Sequence, residues 1–158
     1  MHIIISKEAL LRPLTLVSGA IERKHTLPIL SNVLIETSLE EVKFTGTDME
    51  VELIASAAPG NVIQAGAITV PAKKLFDICR SLPDNSEIEF KVDGHSAVVK
   101  SGKSKFSLST LPASDYPNLE EWSSSEKIEL TRHALRALIE STHFSMANQD
   151  VRYYLNGM

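Results

Sequence analysis

The sequence contains one cysteine and one tryptophan, and aromatic residues make up only 6% of its 158 positions. The lone thiol, Cys79, cannot form an internal disulfide, which favours a reducing compartment, so we expect a cytoplasmic protein without a membrane partner. No apolar run approaches the roughly 20 residues that a membrane-spanning helix needs. The apolar N-terminal run ends at Lys7 and Glu8, too early for a signal peptide.

Residue combinations that indicate catalysis are also missing. The five histidines are scattered, and none is paired with Cys79 at metal-ligand spacing. No serine has the setting of a hydrolase nucleophile. Gly102-Lys103-Ser104 matches the end of a phosphate-binding loop, but the first glycine of that motif is absent and a strand is predicted to follow. Three carboxylates at period two are more typical of a solvated strand face than of a metal site: Asp48, Glu50 and Glu52. We therefore predict no catalytic residue, no metal and no cofactor.

Charge is distributed unevenly along the chain. The net charge of −4 argues mildly against a nucleic-acid partner. Three segments with apolar residues at helical spacing, 7–20, 72–81 and 132–142, nevertheless hold seven basic and three acidic residues, a net +4 that leaves −8 for the remainder. The basic residues are Lys7, Arg12, Lys73, Lys74, Arg80, Arg132 and Arg136. Two interpretations stay open: positive helices that face a polyanion, or exposed helix faces built from good helix formers.

The order of predicted elements indicates the fold class. Strands are predicted at 2–5, 27–35, 42–44, 49–55 and 68–70, and three more lie between 87 and 108. With the helices, these give strand, helix, three strands, twice over. Two sheets with two helices on one side make an α+β fold with a pseudo-twofold repeat. The proline- and serine-containing stretch 110–125 predicts a linker. We expect a complete first domain at 1–122, and a linker end plus the truncated start of a second domain at 123–158.

A longer repeat supports the second domain. Residues 3–33 shifted by 125 positions coincide in pattern with 128–158 without a gap. The matched pairs include Ile3 with Ile128, Ser6 with Thr131, Lys7 with Arg132, Leu14 with Ile139, and Leu30 with Leu155. A constant offset that preserves element order is typical of tandem domains. We therefore expect 127–158 to form a strand, a capped helix and the beginning of another strand, so that the chain is a fragment that stops inside its second domain.

The stretch 148–155 combines Gln149 and Arg152 with two tyrosines, Tyr153 and Tyr154. Amide, guanidinium and phenol groups can donate to phosphate, and the rings add contact area. Composition alone leaves a second interpretation open, in which this is a loop entering a strand with one tyrosine packed inside.

Several long segments resemble one protein family. They are Thr26–Leu30, Thr45–Asp48, Phe76–Arg80, Phe106–Pro112 and Gln149–Met158. These segments closely resemble the bacterial DNA polymerase III β subunits, the replicative sliding clamps. The resemblance covers the whole chain without obvious gaps, and it corresponds to the first domain of that family and the first part of the second.

This resemblance implies the DNA-clamp fold and a non-catalytic role as a processivity factor in DNA replication. Two subunits would form a head-to-tail ring around duplex DNA and tether the polymerase, whose holoenzyme carries the nucleotidyltransferase activity. The implied partners are the backbone of duplex DNA, the polymerase III α subunit, clamp-loader peptides and a second copy of the protein. Backbone contacts of this kind are weak and salt-dependent, which permits sliding.

The resemblance also assigns residues to three surfaces. DNA contact falls to Lys24, Gln149, Tyr153 and Tyr154, with Arg12, Lys73 and Arg80 as positive lining. Peptide binding falls to Arg152, Tyr154 and Leu155. The ring interface falls to Lys74, Ile78, Lys103, Lys105, Phe106 and Leu108.

Two of these assignments have an alternative. The family commonly has arginine at position 24, and Lys24 keeps the charge but loses bidentate phosphate geometry. For Phe106 and Leu108 the alternative is an ordinary core position, since an edge strand can serve both purposes. The alternative function is a peptide-docking module without topological DNA binding.

Overall fold

The computed structural model describes residues 1–21, 27–117, 127–148 and 150–157. They belong to two compact units, Met1–Leu119 and Glu120–Met158. Within these described ranges, no helix combines the length and apolar character needed to cross a membrane.

The first unit contains nine strands and two α-helices among its described residues. The strands are β1 (His2–Ser6), β2 (Asn32–Thr37), β3 (Val42–Thr47), β4 (Glu52–Ala57), β5 (Asn61–Gln64), β6 (Gly66–Pro71), β7 (Glu87–Asp93), β8 (Ser96–Ser101) and β9 (Ser104–Ser109). The helices are α1 (Lys7–Val17), which continues into a 3₁₀ turn at Ser18–Ala20, and α2 (Ala72–Ser81). Both predicted helices are confirmed.

The strands form two antiparallel sheets, ordered β5-β1-β7-β8-β9 and β4-β3-β2-β6. Strand β1, from the first strand-helix-three-strand half, pairs with β7 of the second half, with Ile3 opposite Phe90. Conversely, β6 from the second half pairs with β2 of the first, with Val70 opposite Val33. The two halves are therefore interlaced, since each contributes its first strand to the sheet of the other. The expected α+β arrangement of two sheets and two helices is confirmed.

Helix α1 shows how local sequence produces this arrangement. The Ser6 hydroxyl accepts a hydrogen bond from the Ala9 amide at 3.2 Å, which caps the helix. The predicted stripe of Leu10, Leu14 and Val17 is buried against the sheets. A Cβ at Gly46 in β3 would lie 2.7 Å from the carbonyl oxygen of Val17, so glycine is needed where the helix end approaches the sheet.

A single core joins both helices and both sheets of the first unit. Phe44 and Phe90, one from each sheet, are fully buried beside Leu14 of α1 and Leu75 of α2. Fully burying an apolar side chain of this size contributes about 1.5–3 kcal/mol. This shared core holds α1 and α2 side by side on one side of the sheets.

The predicted strand 27–35 is only partly correct. Leu27 is half exposed, Pro28–Ser31 forms a 3₁₀ turn, and the strand begins at Asn32. Proline fixes φ and lacks an N–H, which favours the first turn of a helix over a strand. The Ser31 hydroxyl donates to the Pro28 carbonyl at 2.7 Å and closes the turn.

The strand predicted at 49–55 begins later, at Glu52. The Asp48 carboxylate accepts hydrogen bonds from the amides of Glu50 and Val51, at 2.9 and 2.7 Å, and thus forms a turn. Met49 has φ of 78° in this turn. The expected alternation of faces is therefore wrong for residues 48–51, where Met49 and Val51 are half exposed. The short strand β5 is not among the predicted strands.

The linker prediction is wrong for residues 110–117. Leu111 pairs with Thr69 of β6 through two backbone hydrogen bonds of 3.2 and 3.3 Å. The Tyr116 side chain is buried, and its hydroxyl donates to the Thr45 carbonyl at 3.1 Å. This segment packs on the first unit because a tyrosine anchors it. Residues 118–126 lie outside the described residues.

The second unit contains α3 (Arg132–Thr142), followed by 3₁₀ turns at His143–Ser145 and Tyr153–Asn156. A shift of 125 residues places these three elements on α1, Ser18–Ala20 and Pro28–Ser31, with identical bounds. The strands expected at the two ends of this unit do not occur in its described residues, because a strand requires a neighbour to pair with. Ile128 and Leu130 are exposed instead.

Candidate nucleic-acid interface

Helices α1 and α2 carry the basic residues predicted to line a DNA-facing surface. Arg12 on α1 and Lys73 and Arg80 on α2 are all exposed. Lys73 and Arg80 are seven residues apart, so they lie on the same face of α2, separated by two turns or about 10 Å along the axis. The apolar residues of both helices are buried in the core, which leaves these basic faces directed outward.

These cations have no partner within the described part of the chain. Arg12, Lys73, Lys74 and Arg80 form neither ion pairs nor side-chain hydrogen bonds there. Three other basic residues of the first unit do form ion pairs: Lys7 with Asp84 at 2.7 Å, Lys43 with Glu36 at 3.0 Å, and Lys100 with Glu89 at 3.7 Å. An unpaired cation can bind a phosphate without first breaking an internal contact.

Two grooves flank α1, and they separate the predicted residues. Lys73 and Arg80 border a groove of about 630 Å³ between α1 and α2. Arg12 borders a second groove, of about 490 Å³, between α1 and β4. The structure therefore brings Lys73 and Arg80 together, while Arg12 lies on the other side of α1.

A buried lysine fixes the relation between the two helices. The Lys7 ammonium donates to the Leu82 carbonyl and to the Asp84 carboxylate, both at 2.7 Å. Leu82 follows the last residue of α2, where helix carbonyls concentrate negative potential. The hydrogen bond from Lys7 lowers the pKa of Asp84. A charged contact thus connects the start of α1 to the end of α2.

In the second unit, Tyr153 and Tyr154 are largely exposed and contact each other edge to face, with ring centroids 5.9 Å apart. This geometry is favourable for aromatic pairs, and it leaves both phenol groups accessible. The interpretation in which one tyrosine is packed inside does not describe this unit. Lys24 and Gln149, the other two predicted DNA contacts, lie outside the described residues.

Arg152 is held by a neighbouring carboxylate. Its Nε and Nη2 donate to the two oxygens of Asp150, at 3.0 and 2.9 Å. This hydrogen bonding lowers the pKa of Asp150 and raises the pKa of Arg152. Asn156 makes two further hydrogen bonds to the backbone of Asp150, each 3.0 Å long. The resulting loop places the half-buried Leu155 beside an arginine that already has a partner.

Comparison with known proteins identifies the family. Residues 1–120 match the family model described as DNA polymerase III beta subunit, N-terminal domain. The chain belongs to this family. It is 53% identical over 158 residues to the beta sliding clamp of Pseudomonas putida and 49% identical to that of Escherichia coli K12, and both matches cover all of this chain and 43% of the relative.

The solved structures agree with this assignment. The crystal structure of the DNA polymerase III subunit beta from Pseudomonas aeruginosa superimposes with a TM-score of 0.94 at 51% sequence identity. The match covers 100% of this chain and 43% of that one. The chain therefore spans less than half the length of the family members it matches.

The residues predicted to form the ring interface lie on α2, on the edge strand β9 and, for Lys103, in the turn before β9. Helix α2 and β9 pack against each other. Lys103 and Lys105 are exposed, and Phe106 and Ile78 are half buried. Leu108 is only 4% exposed and belongs to the core, as the alternative interpretation proposes. Its side chain offers almost no surface to a partner in this chain.

The candidate catalytic groups have structural explanations. Burial raises the pKa of the Cys79 thiol to about 12, so the reactive thiolate is absent near neutral pH. Gly102 has φ of 54° in the turn between β8 and β9, and the predicted strand, rather than a helix, follows it. A phosphate-binding loop requires that helix.

Sequence reasoning overlooked the residues that shape the groove between α1 and α2. Thr15 of α1, Ser18 of the 3₁₀ turn that continues it and Phe76 of α2 line it. The spacing of Thr15 and Ser18 places them on one face of α1, which was an available signal. Lys7 was counted as a surface charge, because its apolar neighbours gave no indication that its ammonium is buried.

Proposed function

We propose that this protein acts as a sliding clamp, the processivity factor of a bacterial replicative DNA polymerase. In this role it surrounds duplex DNA as a head-to-tail ring of two subunits and tethers the polymerase. The observation that carries the proposal is the match of the entire chain to beta sliding clamps at about half identity. Because the chain spans 43% of those relatives, the ring requires the remaining domains.

The charge arrangement supports this function. Cations on α1 and α2 that have no ion-pair partner among the described residues attract phosphates, whereas the rest of the chain has an acidic excess that disfavours DNA on other surfaces. Exposed lysine and arginine side chains contact phosphates without reading bases, so they give attraction without a fixed register. Such contacts allow the duplex to move past the protein.

The proposed role is non-catalytic and belongs in the cytoplasm, where replication takes place in bacteria. The polymerase III α subunit and clamp-loader peptides would bind at a surface that begins with Arg152, Tyr154 and Leu155. Tyr153 and Tyr154, with Lys24 and Gln149, would add DNA contacts to those of Arg12, Lys73 and Arg80. Ring closure would use Lys74, Ile78, Lys103, Lys105 and Phe106, with Leu108 supporting the strand from inside.

The decisive test is topological. A protein that carries this sequence together with the remaining domains should stay on nicked circular DNA after loading and dissociate when the DNA is linearised. Equal retention on the two forms would refute encirclement, because simple surface binding does not depend on free DNA ends.

A second test addresses the 158-residue chain itself. We expect light scattering to give the mass of a species smaller than a closed two-subunit ring, since only one predicted interface surface is present. A ring-sized dimer would contradict this expectation.

Peptide titration separates the clamp from the alternative docking module. The three assigned residues form only part of a peptide surface, and the Arg152 guanidinium is engaged with Asp150. We therefore expect weak binding of a labelled clamp-binding peptide to this chain. Tight binding would favour the docking module.

A further inference from the structure

The groove between α1 and α2 is more than a row of surface charges. It is a half-open groove with a volume of about 630 Å³, within the range of small-ligand sites in proteins. Its apolar lining comes from Ile21, Pro71 and Phe76. A regular duplex, whose bases are stacked inside, cannot fill such a hollow with its phosphates. The apolar lining instead suits a flat group that leaves water, such as an unstacked base.

The charged residues around the groove favour an anion. Lys73, Lys74 and Arg80 contribute three positive charges and Asp77 one negative charge, a net +2. None of these four side chains has an ion-pair partner in the described ranges. Lys73 and Arg80, two turns apart on α2, are placed to contact a phosphate at the rim.

Three hydroxyl groups give the groove a hydrogen-bonding preference. Each already donates its proton to a backbone carbonyl: Thr15 to Leu11 at 2.8 Å, Ser18 to Leu14 at 2.6 Å, and Ser31 to Pro28 at 2.7 Å. A hydroxyl that has used its proton presents only acceptor lone pairs to a ligand. The groove therefore favours a group with several N–H donors. The exocyclic amino group of cytosine or adenine offers two of them, whereas thymine has a single ring N–H.

We propose that this groove binds an unstacked nucleotide, with the phosphate against Lys73 and Arg80 and an amino-bearing base toward Thr15, Ser18 and Ser31. This proposal rests on the proposed function, because the groove borders the surface assigned to DNA. It adds a preference for single-stranded over duplex DNA, and for cytosine and adenine over thymine. The same chemistry is offered by single-stranded DNA and by a free nucleotide.

The test uses the 158-residue chain and fluorescence anisotropy with labelled oligodeoxynucleotides of about ten residues, a length within single-strand site sizes. We expect the oligo-dC to bind about fivefold more tightly than the oligo-dT, the effect of one additional hydrogen bond. Equal affinities would overturn the proposal, because nonspecific phosphate attraction does not distinguish the bases.

A matched pair of variants locates the site. Lys73→Gln should weaken oligo-dC binding about three- to tenfold at low salt. Lys91→Gln, which removes an exposed lysine of β7 that lies outside the groove and forms no ion pair in the described ranges, should change it less than about twofold. Equal losses for the two variants would overturn the assignment to this groove. Amide chemical shifts of Ser18 and Phe76 should move on titration with oligo-dC, and their constancy would also count against it.

Competition with free dCMP distinguishes the two sources. Displacement of oligo-dC by dCMP supports a site that accepts a free nucleotide, and retention of oligo-dC supports one that requires a strand. A failure of the proposed function would look different. Topological retention of the longer protein would then be lost, while the cytosine preference and the Lys73 effect of this chain would persist.

Discussion

Helices α1 and α3 occupy equivalent places in the two units but differ in burial. Both have eleven residues, and a shift of 125 takes 7 to 132 and 17 to 142. A hydroxyl caps each, since Ser6 accepts from Ala9 at 3.2 Å and Thr131 accepts from Ala134 at 3.1 Å. Yet α1 buries five residues, whereas α3 and the rest of the described second unit bury none.

The difference separates local from tertiary determinants. The cap and the helical spacing of apolar residues lie within the segment, so both helices begin and end at matching positions. Burial depends on sheets that the first unit has and the described second unit lacks. An isolated helix of this length is only marginally stable in water. Stability should therefore differ far more between the units than secondary structure does.

The largest expected difference concerns equivalent apolar residues. Leu14→Ala should lower the free energy of unfolding of the first unit by about 2–5 kcal/mol, because it creates a cavity in a closed core. Ile139, its counterpart, is 41% exposed, so Ile139→Ala should cost less than about 1 kcal/mol. Urea denaturation followed by circular dichroism measures both. Similar losses would mean that α3 is packed as tightly as α1.

Lys7 and Arg132 provide the next comparison. Lys7→Met should destabilise the first unit by about 1.5–3 kcal/mol, since it removes a charged hydrogen bond to the buried end of α2. Arg132→Met should have almost no effect, because Arg132 is exposed and forms no ion pair in the described residues. Thermal unfolding of the two variants tests this contrast. A stable Lys7→Met variant would show that the contact between the helices is dispensable.

Loss of the helix cap should have a similar effect in the two units, which would separate this local determinant from the burial that differs between them. Ser6→Ala and Thr131→Ala should each destabilise the first turn by about 1 kcal/mol, because each leaves one helix amide without its acceptor. Hydrogen exchange at the Ala9 and Ala134 amides is the direct measurement. An effect at only one of them would indicate that the caps do not act locally.

The smallest expected effect concerns acid. Hydrogen bonds from Lys7 and from the Asn85 amide lower the pKa values of Asp84 and Glu8, respectively. A carboxyl whose folded pKa is depressed stabilises the fold above its ordinary pKa near 4, and this contribution is lost as the pH falls through the lowered value. The unfolding midpoint of the first unit should therefore decline below about pH 4, and less steeply in Asp84→Asn. Urea midpoints measured at several acidic pH values test this, and an unchanged slope in the variant would contradict it.

The sequence was most informative where one segment contains its own determinants. All three helices could be predicted from apolar spacing and from the hydroxyls of Ser6 and Thr131. The order of strands, and therefore the α+β class, followed from the apolar patterns, whereas the clamp fold was implied by the family resemblance. The last three strands are separated by turns at Gly94 and Gly102, both of which have positive φ. Asp48 and Pro28 are local signals for turns, but both were overlooked because the apolar residues beside them suggested strands.

Other features depend on distant residues and could not be predicted in this way. Tyr116 anchors a segment with linker composition, because its hydroxyl reaches a carbonyl 71 positions earlier in the chain. Lys7 is buried through a contact 75 positions away. The candidate site has both local and distant determinants. The basic residues of α2 could be identified from the sequence, whereas the groove beside them forms only when α1 packs against α2.

The exchange of first strands has a consequence for the history and engineering of this domain. A peptide of half its length would contain one strand, one helix and three strands. Its three-stranded sheet would lack the fourth strand, and its own first strand would have no sheet to pair with. Two copies of such a peptide could complete both sheets only as a symmetric dimer, in which the first strand of each copy pairs with the sheet of the other. A chain cut between β4 and β5 would likewise have to reassemble by co-folding, with neither piece serving as a template for the other.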